Sequence, residues 1–313
     1  MSLRSVISAL AVSAALSAFS ATLVSGGGRI CYSDTVSDAG KLRIEFAPCM
    51  ANELFTFHRV YLNGTIVNAT SSDNIGPFGI TGGWCGGNHL NDGRRSAETV
   101  AVSVAAFPGA VIVDPEVADT LTCDYMVVEV HNRLVLPDGV SPFADETIRY
   151  TVAGNSIDVA ASHTFTCEQP VFVDRYYGMQ SMFFDEYEFL TPGGLYAPWT
   201  PLAEVNRFAK SAQNGFCLFV EHSPAGYQAS WLDPAPGTLG DRSLVDDDDW
   251  VFIGNSYTKA YHKTIGGKTV RKGDTTRWHG IYSWFDRPLV DTPHSFAYRA
   301  FYGGVPAVMD FNF

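Results

Sequence analysis

Along most of the chain, apolar and polar residues alternate at every second position in short runs separated by glycine and proline. This pattern is clearest in residues 99–105, 122–136, 147–152, 156–165, 216–221, 250–261, 278–285 and 307–313. Alternation with period two places successive side chains on opposite faces of a strand, and dense short strands with turn signals between them predict a sandwich or barrel. No long run with helical spacing competes with it. The expectation is an all-β fold, a large antiparallel β-sandwich with few or no helices. The clearest local unit is a hairpin in which Ile148, Tyr150 and Val152 lead through Ala153, Gly154 and Asn155 to Ile157 and Val159.

The run 122–136 places Tyr125, Glu129, His131 and Arg133 on one face, with Met126, Val128, Val130, Leu134 and Leu136 on the other, interrupted only by Asn132. Residues of one parity repeat every ~7 Å along a strand, so the four polar side chains line one side of a sheet. An imidazole between a carboxylate and a guanidinium is a set for proton transfer and anion holding, and a solvated outer face has the same appearance. His163 shares a face with Ile157, Val159, Ala161 and Phe165, which predicts a core histidine. Trp278, Tyr282 and Trp284 share a face from which His279 points away; the stripe reads as core or as a stacking platform.

Segment 73–93 carries seven glycines together with Trp84, Asn88, His89, Asn91 and Asp92. Such a backbone can bend closely around a ligand, although glycine-rich loops are also ordinary turns. Segment 180–213 is the least regular part, predicting a long loop with a short helix near 203–212, and it contains Trp199. The adjacent Tyr176 and Tyr177 point to opposite faces, so at most one serves a given cleft.

Residues 6–19 form an uncharged apolar run after Arg4, followed by small residues, as in a signal peptide cut between Ser20 and Gly26. The expected organisation is a signal peptide over 1–25 and one β domain over 26–313, secreted to a periplasmic or extracellular space. No stretch has the length and apolarity for membrane insertion by a helix. Six cysteines in an exported chain predict at least one disulfide, with Cys31 and Cys49 as the preferred pair. Lys plus Arg total 21 against 33 Asp plus Glu, a formal charge of −12, which argues against nucleic acid and anionic membranes as partners. No cofactor motif is present. The run Asp246, Asp247, Asp248 and Asp249 offers oxygens for calcium, but four adjacent side chains cannot all converge on one ion, and a solvated acidic turn accounts for it.

The string Gly87, Asn88, His89, Leu90, Asn91, Asp92, Gly93 resembles the Asn-His-Leu-His-Gly-Gly segment of aldose epimerases, with Asn91 standing where that pattern has a second His. Together with the strand pattern it resembles the galactose-mutarotase-like supersandwich shared by those epimerases and several polysaccharide lyases. The resemblance implies a sheet face that receives a polysaccharide or other glycan. In its lyase form, Asn, His or Arg neutralises a uronate carboxylate and Tyr or His removes a proton, roles that fall to Asn88, His89, His131, Arg133 and Tyr177. Trp84, Tyr125, Glu129, Tyr176 and Trp199 are the expected substrate contacts. A noncatalytic glycan-binding or adhesive module and a structural surface protein are the competing expectations; affinity that survives loss of His89 and His131 marks the first, and self-assembly without glycan the second.

Overall fold

A computed structural model describes residues 20–36, 40–68, 73–182, 226–232 and 259–286, together with the backbone of six short strands between them. The strands are β1 (Ala21–Gly26), β2 (Arg29–Val36), β3 (Gly40–Cys49), β4 (Leu54–Leu62), β5 (Thr65–Ile66), β6 (Phe78–Ile80), β7 (Gly83–Cys85), β8 (Ala97–Phe107), β9 (Val111–Val113), β10 (Asp119–Cys123), β11 (Tyr125–Val135) and β12 (Pro142–Ala153). They continue as β13 (Ser156–Phe165), β14 (Val171–Met182), β15 (Glu186–Thr191), β16 (Gly194–Leu195), β17 (Thr200–Pro201), β18 (Arg207–Lys210), β19 (Leu218–Ser223), β20 (Gly226–Leu232), β21 (Val251–Gly254), β22 (Lys259–Val270) and β23 (Thr275–Phe285). No helix occurs among the described residues. The fold is all-β, as the alternation predicts.

Three antiparallel sheets result. A first six-stranded sheet has the order β10-β1-β2-β3-β4-β5, and a second has the order β18-β21-β22-β14-β6-β7. The third, eleven-stranded sheet runs β16-β15-β19-β20-β23-β13-β12-β11-β8-β9, with β17 beside β15. The expected hairpin is present: β12 returns as β13 through Gly154 and Asn155, with Ala153 opposite Ser156. Gly154 sits at φ 56°, the left-handed region a two-residue hairpin loop uses.

One face of the large sheet packs against both smaller sheets in a sandwich-like arrangement. Phe57 of β4 meets Tyr150, Tyr282 and Trp284 edge-on, with ring centroids 5.4–6.2 Å apart. Phe78 of β6 stacks on Tyr176 of β14 at 3.8 Å and meets Phe143, Phe165 and His163 edge-on. Edge-to-face geometry matches the positive ring edge to the negative ring face, so these aromatics contribute beyond their buried area. Trp278, Tyr282 and Trp284 are therefore core, buried to 2% or less.

Gly178 marks the tightest crossing in this core. A Cβ there would lie 2.6 Å from Nε1 of Trp278, whose indole N–H is committed to the Tyr176 hydroxyl at 3.0 Å. The ring is buried and tethered and cannot step aside. Gly178→Ala is expected to lower stability by about 1–3 kcal/mol, the usual effect of overpacking, read as a lower denaturant midpoint at unchanged slope.

The structure corrects three expectations. The run 122–136 is two strands, because the chain turns at Asp124: β10 joins β1 in the first sheet, whereas β11 joins β8 and β12 in the large one. The helix expected near 203–212 is replaced at Arg207–Lys210 by strand β18, paired with β21, and the loop 180–213 contains further short strands. Cys31 and Cys49 are unbridged, as are all the described cysteines. Cys31 sits opposite Glu45, and Cys49 lies four residues farther along β3, opposite Leu54, so ~13 Å of strand separates the two positions, beyond disulfide reach. Trp199, Cys217, the four consecutive aspartates and 307–313 lie outside the described residues.

Candidate functional site

The other face of the large sheet is open at its centre and is built by register. Glu129 on β11 pairs with Arg149 on β12, Arg149 with Ala160 on β13, and Ala160 with His279 on β23. The next row is His131, Thr147, Ser162 and Arg277, and the row on the other side is Val127, Thr151, Asp158 and Ile281. In the first two rows charged and imidazole side chains occupy the two outer strands, whereas in the third Val127 and Ile281 are buried, at 7% and 0%, and close that end. The middle two strands carry mostly short side chains: Thr147, Thr151, Ala160 and Ser162. The result is a polar trough with a floor of small residues.

Both banks carry an imidazole held by a carboxylate. His131 Nε2 lies 3.1 Å from Glu129 Oε1, and its Nδ1 lies 3.0 Å from the Thr147 hydroxyl on the neighbouring strand. His279 Nε2 lies 2.6 Å from Asp158 Oδ2, again on the neighbouring strand. Each ring therefore leans inward, over β12 and over β13. The outer strands are three spacings apart, ~14 Å, and the two imidazoles belong to neighbouring rows, ~7 Å apart along the strands, so each leans into the trough from its own bank. The His279–Asp158 pair is the more enclosed, with side chains 17% and 22% exposed, whereas His131 is 45% exposed. A carboxylate on one ring nitrogen fixes the tautomer and stabilises the imidazolium that forms when the ring takes a proton.

Arg149 stands on the floor, 3.8 Å from Glu129. At one end Tyr125 stacks on Phe107 with ring centroids 4.6 Å apart and planes within 2°, giving a flat aromatic platform. Burial pushes the Tyr125 hydroxyl above its ordinary pKa, with Arg149 pulling the other way. Arg133 is engaged by Glu98 at 2.6 Å on the rim.

Of the sequence-predicted residues, the structure therefore brings Tyr125, Glu129, His131 and Arg133 to one face, and adds Arg149, Asp158 and His279. It does not bring the glycine-rich loop to them. A Cβ on Gly86 would lie 3.1 Å from Leu134, and Gly87 borders a small cavity with Asn132 and Glu146, all on the packed side of the large sheet. There Asn88 N–H donates to Asp73 at 2.7 Å, the Asn88 side chain accepts from Ala51 N–H at 2.6 Å, and His89 stacks on Trp84 at 4.7 Å. These contacts fold the loop onto the 50–53 turn. Tyr176 is fully buried, and Tyr177 is half-buried on the opposite side of β14.

Sequence reading assigned no role to Glu146. Its carboxylate accepts from Asn132 at 2.7 Å and pairs with His163 Nε2 at 2.8 Å; Tyr176 approaches the same nitrogen at 3.3 Å and receives the Trp278 N–H. Thr99 completes the chain by donating to Asn132 at 2.8 Å. His163 is thus the core histidine its parity predicts, engaged at Nε2, while its buried Nδ1 has no hydrogen-bond partner among the described residues. The adjoining cavity, bordered by Asp73, Thr56 and Tyr150, has about 20 Å³, room for about one water. Among the described residues no cluster of three or more His, Cys, Asp or Glu is arranged to hold a metal.

No family model matches the chain, and no curated protein matches it. Among solved structures, its neighbours are galactose-mutarotase-like, aldose-epimerase and glycoside-hydrolase supersandwich domains at low identity. The galactosidase domain of an alpha-galactosidase-sucrose kinase is 10% identical with a TM-score of 0.43, covering 86% of this chain and 42% of that one. This chain thus spans about two fifths of the galactosidase structure. A putative aldose 1-epimerase from Klebsiella pneumoniae is 10% identical with a TM-score of 0.38, covering 83% and 81%. A galactose mutarotase-like protein from Clostridium acetobutylicum is 9% identical with a TM-score of 0.41, covering 84% and 97%.

Proposed function

We propose that the chain is a secreted carbohydrate-active protein that binds a uronic-acid polysaccharide in the open trough and cleaves it by β-elimination. The observation that carries this reading is the pair of carboxylate-held imidazoles, Glu129–His131 and Asp158–His279, one on each bank of a floor of hydroxyl-bearing and small residues with one guanidinium. Proton removal beside a carboxylate needs a base, a cation on the carboxylate and an acid for the leaving oxygen. His279 takes the C5 proton. The released electron pair forms the C4–C5 double bond, the C4–O bond breaks, and the departing oxygen takes its proton from the Thr147 hydroxyl, which is resupplied from His131 Nδ1. Arg149 neutralises the uronate carboxylate, lowering the cost of charge at C5. Tyr125 and Phe107 offer the sugar an apolar face.

Incubating the protein with pectate, alginate and hyaluronan, and following the ultraviolet absorbance of unsaturated chain ends, tests the proposal. Absorbance that grows with protein concentration supports it. Binding without new absorbance or new reducing ends overturns the elimination and leaves a glycan-binding module.

Export belongs to the same proposal, and the fold narrows where a leader would be cut. Ala21 and Leu23 are buried at 0% and 1% in β1, which is held between β10 and β2. Only a cut before Ala21 leaves that strand whole. The mature chain is expected to begin at Ala21 by intact mass; a mature terminus at Gly26 would contradict the role given to β1.

A further inference from the structure

The first sheet has its own open face, remote in register from the trough, and its charge runs against that of the whole molecule. Parity points Arg29, Cys31 and Ser33 of β2, Lys41, Arg43 and Glu45 of β3, and Arg59 and Tyr61 of β4 outward. Four cations thus face one carboxylate on a chain of formal charge −12. Glu45 is shared between Arg43 at 3.1 Å and Arg59 at 3.8 Å, so it offsets part of the charge without removing it. His58, at the bulge opposite Glu45 and Phe46, adds no charge at neutral pH: burial, then Arg59, pushes its pKa down, with Glu45 opposing.

Within this face lies a groove of about 380 Å³. One cross-strand row, Thr22, Ser33, Arg43 and Tyr61, forms its floor, and Lys41 stands at its edge. The Arg43 guanidinium lies over the Tyr61 ring at 3.9 Å, which fixes it as a flat donor rather than a freely swinging charge. The buried Asp34 closes one end, its carboxylate receiving the Tyr32 hydroxyl at 3.1 Å. Hydroxyls, one oriented guanidinium, one ammonium and one carboxylate in a groove of this volume form a recognition set for a hydroxylated ring that bears an anion. Because Arg43 covers Tyr61, no open aromatic platform remains for stacking a nucleobase.

We propose that this groove is a second glycan site, which holds an anionic sugar unit of the same polymer through Arg43 and Lys41 and retains the chain while the trough acts on it. The proposal rests on the uronic-acid reading of the trough for its ligand. It adds a site on a different sheet, with its own residues.

The test titrates wild type and a Lys41→Ala, Arg43→Gln double variant with oligogalacturonate and with sulfated dextran. Unsulfated dextran and single-stranded DNA serve as controls, and turnover of pectate is recorded on the same samples. The double variant is expected to bind oligogalacturonate about tenfold more weakly or worse, with a shallower salt dependence. Wild type is expected to ignore unsulfated dextran, and the sulfated polymer reports whether the groove reads any anion or a carboxylate in particular. Turnover with unchanged affinity in the double variant overturns the groove and leaves the trough standing. No turnover, but lost affinity in the double variant, supports the groove and overturns only the trough. Binding of DNA as tight as that of oligogalacturonate overturns the glycan assignment, and a normal thermal midpoint shows that the variant is folded.

Discussion

His279→Gln is expected to reduce turnover of a uronic-acid polymer by about 10²–10⁴-fold with little change in stability, the range a positioned general base contributes. The side chain lies on the open face, only partly enclosed, and its replacement leaves the packed side of β23, with Trp278, Tyr282 and Trp284, untouched. Asp158→Asn is expected to produce a smaller loss with a changed pH profile, because Asp158 acts only through His279, by orienting the ring and stabilising it once it has taken the proton. Steady-state kinetics of both variants check this. Equal activity of His279→Gln and wild type removes His279 from the proposed chemistry.

The largest expected effect on stability is at Glu146. Its side chain and that of His163 are 5% and 0% exposed, and its two oxygens serve Asn132 and His163 separately. Glu146→Ala strands both partners in the core and is expected to cost about 3–5 kcal/mol by denaturant unfolding. Replacing the pair together, Glu146→Leu with His163→Phe, removes both polar partners at once and is expected to recover part of that loss, since a buried polar pair and well-packed apolar side chains of similar volume are close in free energy. A loss below ~1 kcal/mol for Glu146→Ala would contradict the network.

Much of this was legible in the chain, and what was not has an identifiable cause. The apolar parity of β11, the hairpin of β12 and β13, the core position of His163 and the shared face of the Trp278 stripe all follow from period-two alternation, a local property; that this face is buried does not. The break at Asp124 escaped because residues 122–136 alternate almost without interruption, while the two halves pair with strands far apart in sequence. The Glu129 and His131 face was readable; its opposite bank was not. His279 and Asp158 are 121 residues apart and meet only because β13 pairs with β23, a register no local pattern encodes. The glycine-rich loop drew attention by composition. Its polar groups instead satisfy backbone and neighbouring side chains: Asn52 alone donates to the Gly87 and His89 carbonyls at 2.7 and 3.1 Å, binding the loop to the β3–β4 turn.

The central claim is that the open face between β11 and β23 is where the sugar sits. A crystal structure of His279→Gln soaked with an unsaturated-end-free oligogalacturonate tests it most directly. The account predicts a ring over Thr147 and Ala160, with its carboxylate on Arg149 and C5 facing residue 279. A ring lodged against the glycine-rich loop, with the trough empty, would contradict it.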